Sequence, residues 1–204
     1  MTETELAKVA LGRPDFDVIA GWVQPGERVL DLGCDDGSLL RGLIEARGVL
    51  GWGIEIEDGK VLAAIRNGVN VIQGNLEAGL ADFEDGAFHH VILSQTLQAM
   101  RHTETIVNEM LRVGREAVVS FPNFGYWKHR QAILNGHMPV SESLPHQWYN
   151  SPNVRFFTIA DFDDFCAERG ILVRERKVFD GGREITEEHN FLGSTAVYRL
   201  GRAR

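Results

Sequence analysis

The residues best suited to chemistry are Asp31, Gly33, Gly37, Glu55 and Asn75. The two glycines belong to the run Val29-Leu30-Asp31-Leu32-Gly33-Cys34-Asp35-Asp36-Gly37-Ser38, where an apolar stretch enters a turn. Glycine lets the backbone turn sharply and lets a ligand approach the main chain. In an α/β sheet such a strand–turn–helix junction opens on the crevice beyond the carboxyl ends of the strands, where nucleotide-like ligands sit. Glu55 follows Asp31 by 24 residues. That is close to the ~20 expected for a ribose-binding acid one βαβ step later. A carboxylate suits the task because it accepts from both ribose hydroxyls. Asn75 offers a side-chain acceptor for an exocyclic amine, and the Leu76 N–H a donor for a ring nitrogen. Gln95, past the fourth apolar strand, is the best-placed polar contact for the rest of such a ligand. A dinucleotide fingerprint G-x-G-x-x-G starting at Gly33 would need glycines where Asp35 and Ser38 stand, so a dehydrogenase reading is weak.

Each residue also has a purely structural reading. Asp31 can bind backbone amides at the turn, and Gly33 and Gly37 can be plain turn residues. Glu55 can be one of a solvated acidic group with Glu57 and Asp58 before a helix. Cys34 reads as a small residue packing the turn, with a catalytic thiol as the alternative. The ligand reading draws its strength from the order of these residues along three successive strands.

Strands and helices alternate along the chain, which predicts an α/β fold with a mainly parallel sheet. The expected strands are Arg28–Leu32, Leu50–Glu55, Val69–Gln73, Phe88–Ser94, Glu116–Phe121, Ile171–Phe179 and Thr195–Leu200. Helices are expected over Asp15–Val23, Ser38–Arg47, Asp58–Asn67, Thr103–Val113, Tyr126–Leu134 and Thr158–Arg169. In the last, Thr158 is a candidate N-cap with Asp161 at the capping-box position. The stretch 122–153 differs. It holds four of the six prolines together with Tyr126, Trp127, Trp148 and Tyr149. Its aromatics either pack the loop down or form a binding surface.

Length and composition bound the rest. The 204 residues suit one domain with a sizeable core. A net charge of −8 argues against general nucleic-acid binding, which needs a basic face. No apolar run approaches the ~20 residues of a membrane span. Met1–Lys8 lacks the layout of a signal peptide, and two cysteines make no disulfide framework, so cytoplasm is the expected compartment. His89 and His90 are expected to mark a strand edge. No Cys/His cluster has zinc spacing, so no metal is expected.

The segment Asp31-Leu32-Gly33-Cys34-Asp35-Asp36-Gly37 resembles the first motif of class I S-adenosylmethionine-dependent methyltransferases, an acid followed by G-x-G-x-G. Arg13-Pro14-Asp15, Ser94-Gln95-Thr96-Leu97-Gln98, Phe121-Pro122-Asn123-Phe124-Gly125, Met138-Pro139-Val140 and Leu144-Pro145-x-x-Trp148-Tyr149 narrow it further. Together they resemble the MetW family over about Arg13 to Leu200. The resemblance implies a Rossmann-like fold: a seven-stranded, mostly parallel sheet with helices on both faces and an antiparallel last strand. It implies one methyltransferase-like domain over 1–204 with an insertion at about 122–153. It implies an S-adenosylmethionine site formed by Asp31, Gly33, Cys34, Gly37, Glu55, Ile56, Asn75, Leu76, Ser94 and Gln95, with no catalytic residue assigned. It also implies methionine biosynthesis, as partner or activator of a MetX-type homoserine O-acyltransferase. The alternative is an active methyltransferase on a small molecule. The chain departs from the motif at Asp35, which replaces the middle glycine. Its carboxylate is expected to crowd the methionine end of the ligand. Asn75 stands where an acid is usual and keeps an acceptor.

Overall fold

The computed structural model describes residues 13–202, so Met1–Lys8 lies outside the described residues. Strand β1 (Arg28–Leu32) lies at the centre, flanked by β2 (Leu50–Glu55) and β4 (Phe88–Ser94). β3 (Asn70–Gln73) forms one edge, and β5 (Gly114–Pro122) follows β4. These five strands are parallel, and the apolar runs of β1, β4 and β5 suit burial on both faces. β8 (Thr195–Arg202) inserts antiparallel between β5 and β6 (Ile171–Asp180), as expected of the last strand.

Among the described residues the sheet has eight strands, where seven were expected. The extra one, β7 (Arg183–Glu184), is a two-residue hairpin partner of β6. Its turn is Gly181-Gly182, a dipeptide that supplies the positive φ a two-residue hairpin loop needs. A short helix, α7 (His189–Leu192), also lies outside the expected elements.

Helices cover both faces. α1 (Pro14–Trp22), α2 (Ser38–Arg47) and α3 (Asp58–Arg66) pack on one face over Val29, Ile92, Val118 and Val197. α4 (Thr103–Val113) and α6 (Ile159–Glu168) pack on the other over Leu30, Val91, Val119 and Tyr198. The alternation along each strand splits its residues between these two cores. Thr158 caps α6 in a full capping box with Asp161. None of the described helices is long and apolar enough to cross a membrane.

The stretch after β5 carries one helix of its own, α5 (Trp127–Leu134), and is otherwise irregular. Buried Asn123 anchors its start. The side-chain amide donates to the carbonyls of Asn190 (3.1 Å) and Gly193 (2.7 Å), and Oδ1 accepts from the Gly125 N–H (2.9 Å). Buried His129 binds the Asn123 carbonyl through Nδ1 (3.0 Å) and the Ser141 hydroxyl through Nε2 (2.8 Å). At the far end the Val154 and Arg155 N–H groups donate to the Gln98 carbonyl.

Candidate functional site

Strand register places four polar side chains on one face at the carboxyl ends of the strands. Asp31 is level with Gly53 and Ile92, and Ser94 with Ser120. Two-residue alternation then puts Asp31, Glu55, Ser94 and Ser120 on the α1 side of the sheet. Above them opens a cavity of about 480 Å³, a volume typical of small-molecule sites. Of the ten residues named from sequence, seven line it: Gly33, Glu55, Ile56, Asn75, Leu76, Ser94 and Gln95.

The other three lie elsewhere. Asp31 is buried in β1, and among the described residues its carboxyl receives no hydrogen bond. Burial is the main cause that pushes it up to about 8, and Arg13 opposes the rise. Cys34 is buried against Gly53, where a Cβ would overlap its sulfur. Burial raises its thiol to about 12, so at neutral pH it packs and does not react. Gly37 caps α2 at φ 75°, where an added Cβ would lie 2.9 Å from Val69.

Glu55 ties the turn to the second strand. One oxygen accepts from the Asp35 N–H (3.1 Å), the other from the N–H groups of Ile56 (2.8 Å) and Glu57 (3.0 Å). The first oxygen keeps a free lone pair for a ligand hydroxyl. Asn75 caps a helical turn at Leu76–Ala78 by accepting from the Glu77 N–H (2.9 Å). The Leu76 N–H, in that first turn, has no earlier carbonyl to bind. Ile56 is exposed at the cavity mouth.

Asp35 takes the left-handed conformation a glycine would (φ 52°), which Asp tolerates better than most residues. Its carboxylate is exposed and pairs with Lys60 of α3 at 3.5 Å. Asp35 sits on the Glu55 side of the cavity because its own N–H is held by Glu55.

Sequence reasoning missed Arg13, Asp15, Ser120 and Lys60. Arg13 lines the cavity and binds buried Asp15 twice, at 3.1 and 2.6 Å. Asp15 also accepts from Ser94 (2.8 Å) and Ser120 (2.9 Å). A serine inside the apolar run Val118-Val119-Ser120-Phe121 was the available signal. Gln95, left-handed at φ 52°, donates its N–H to Ser120 and separates the cavity from a second chamber of about 520 Å³. Glu142, Ser143, Pro145 and His146 of the long irregular stretch wall that chamber.

His90 and His102 have structural partners. His90 is buried within the central strand β4, against the edge expectation, and meets Glu27 at 3.0 Å. His102 contacts Glu77 at 2.6 Å beside the start of α4. Among the described residues, no group of three or more His, Cys, Asp or Glu could hold a metal ion.

An open sheet of this order with a glycine turn at β1 and an acid at the end of β2 is that of S-adenosylmethionine-dependent methyltransferases. The fold is similar to a methyltransferase of that class from Thermotoga maritima: TM-score 0.68, 18% identity, covering 98% of this chain and 92% of the other. It is also similar to magnesium protoporphyrin IX methyltransferase from Synechocystis PCC 6803, solved with bound SAH: TM-score 0.63, 15% identity, covering 98% and 83%. At those identities the likeness is one of fold alone. The family model of "Methionine biosynthesis protein MetW" matches residues 13–200, and the chain belongs to that family. It is 36% identical over 197 residues to the "Bifunctional methionine biosynthesis protein MetXA/MetW" of Rhodopirellula baltica, covering 90% of this chain. It spans about a third (32%) of that relative's length.

Proposed function

We propose that this chain is the partner and activator of a MetX-type homoserine O-acyltransferase, and that its cavity binds S-adenosylmethionine. The observation that carries the reading is the relative whose single chain bears both the MetXA and the MetW names. Two activities joined in one polypeptide work at a high effective concentration, which separate chains must recover by docking. The stretch after β5 supplies a surface for it, with Trp127, Leu134, Trp148, Tyr149 and Phe156 exposed. Aromatic residues of this kind are enriched at protein interfaces. In this reading residues 1–204 form one methyltransferase-like domain, with 122–153 as its docking insertion, in the cytoplasm.

The cavity fits the cofactor in three respects. Glu55 retains an acceptor for ribose, Leu76 an N–H for the base that no described residue binds, and Ile56 an exposed apolar face for a purine to cover. The full cofactor set stays as read from sequence, with Gly33 and Gln95 at the cavity, Asp31 and Cys34 beneath it and Gly37 starting α2. Arg13 adds a guanidinium for a carboxylate. When bound, the cofactor supplies an electrophilic methyl group.

The test is homoserine acylation by the MetX-type enzyme with and without this chain. A severalfold rise together with co-purification is the expected result; an unchanged rate refutes the partner role. A second reading, methyl transfer to a small molecule, is favoured by the chamber beyond Gln95. Trp148→Ala separates the two. Docking predicts loss of the complex with cofactor affinity intact, whereas a lid over an acceptor predicts altered turnover of the isolated chain.

A further inference from the structure

A separate cleft of about 510 Å³ opens between α4 and α6. It shares no lining residue with the cavity at the glycine turn or with the chamber beyond Gln95. Phe157, Phe162 and Phe165 give it an aromatic wall, with the rings of Phe162 and Phe165 stacked at 5.9 Å. Its rim is charged, and most of the charges there have partners. Arg169 binds Glu104 at 2.8 Å and Glu168 at 3.0 Å, His102 meets Glu77 at 2.6 Å, and Asp161 is held in the capping box of Thr158. Two exposed guanidiniums are left over. Among the described residues the Arg101 side chain makes no hydrogen bond and no ion pair, and Arg155 binds only carbonyl oxygens, chiefly that of Arg101 at 2.7 Å. That bond brings both residues to one mouth. The amino terminus of α4 opens there too, through Thr103 and Thr105, whose first-turn N–H groups have no helical acceptor. Acidic residues outnumber Lys and Arg in this chain by 29 to 21, yet none of the described carboxylates covers these two arginines.

We infer that this cleft binds a small organic anion: a carboxylate, sulfonate or phosphate group carried on an aromatic or short acyl body. The planar fork of a guanidinium matches such an oxoanion with paired hydrogen bonds. The anionic head goes to Arg101 and Arg155, and the positive end of α4 adds to their field. The body lies against Phe157, Phe162 and Phe165 and removes apolar surface from water. Neither half suffices alone. Exposed arginines hold a simple anion weakly, because water competes for both charges. The rings without the arginines would not distinguish an anion from a cation of the same shape, which meets like charge at the mouth. The site stands apart from the cofactor reading and does not depend on it.

The test is a titration of the isotope-labelled whole chain with naphthalene-2-sulfonate, followed by backbone amide shifts in NMR. Saturable shifts are expected first at residues 101–105 and 155–165. 2-Naphthylmethylamine, with the same rings and a positive charge, should bind about tenfold more weakly or not at all. Methanesulfonate, with the same head and no rings, should do likewise. Arg101→Gln combined with Arg155→Gln should weaken naphthalene-2-sulfonate about tenfold. Both side chains are exposed, so the double variant should keep the parent's urea midpoint, which separates lost binding from lost fold. If it does not, Arg101→Gln alone, whose side chain has no bond to lose, should still weaken the probe about threefold. Absence of saturable shifts at the cleft overturns the site. Equal binding of the amine, equal binding of methanesulfonate, or unchanged affinity in the folded variants each overturns it as well.

Discussion

Glu55→Gln is the sharpest test of how the glycine turn is held. The carboxylate meets three N–H groups, from Asp35, Ile56 and Glu57, at 2.8 to 3.1 Å. A glutamine has one acceptor oxygen. If it stays on Ile56 and Glu57, the new amide points donors at the Asp35 N–H. If it turns to Asp35, two N–H groups lose their acceptor. The first arrangement costs less. A buried donor left without a partner costs about 1–3 kcal/mol. The two surviving bonds also lose charge assistance, which roughly halves them. Asp35 is reached by solvent, which lowers the first term, so the total is about 2 kcal/mol. With a urea slope of about 2 kcal/mol/M, the unfolding midpoint should fall by about 1 M with the slope unchanged. The same variant should weaken S-adenosylhomocysteine severalfold, since the turn that forms the cavity floor is loosened. A midpoint within about 0.2 M of the parent would show that Glu55 does not hold the turn.

Three further outcomes are expected. Asp31→Asn should raise stability more at pH 8 than at pH 4. An acid whose ionisation is raised from 3.8 to about 8 holds its proton more tightly folded than unfolded, so its contribution is lost as pH climbs through that window. Thermal unfolding at the two pH values checks this; an equal gain at both would contradict it. Gly53→Ala should destabilise by about 1–3 kcal/mol through overlap with Cys34. Adding Cys34→Gly should recover part of the loss, and a denaturant double-mutant cycle with additive effects would show that the contact is not the cause. Thr158→Ala should cost about 1 kcal/mol in urea unfolding by removing the cap of α6; an unchanged midpoint would discount the capping box.

β1, β2, β4 and β5 were legible because each is an apolar run bounded by glycine, acid or proline. β1 and β2 begin and end where the sequence reading placed them. β7 and α7 were not legible, being too short, at two and four residues, to show any periodicity. The Gly181-Gly182 pair was their one local sign. The cavity was legible where strand order alone aligns residues, as for Gly33, Glu55, Asn75 and Gln95. What escaped was the layer beneath it. Arg13 and Asp15 lie 79 or more residues from the serines they meet, and local pattern carries no information across that distance. His90 escaped for a related reason: its place in a central strand depends on Glu27, which closes over it from another part of the chain.

The substitution at Asp35 shows why a motif must be read with its neighbours. Replacing a glycine by an acid at the mouth of an anion-tolerant turn looks like loss of the site. The structure places two compensations beside it. The left-handed backbone is pinned by Glu55 through the Asp35 N–H, and the added charge lies 3.5 Å from Lys60. An exposed pair of this kind contributes little to stability. Its effect is to keep the carboxylate turned toward α3. If that is its role, Lys60→Met should weaken S-adenosylhomocysteine in the parent by freeing Asp35. In an Asp35→Gly background the same change should have no effect. Titration calorimetry of the four proteins decides it: equal losses in both backgrounds would mean that Lys60 contacts the ligand itself, and no loss in either would mean that the orientation of Asp35 is immaterial.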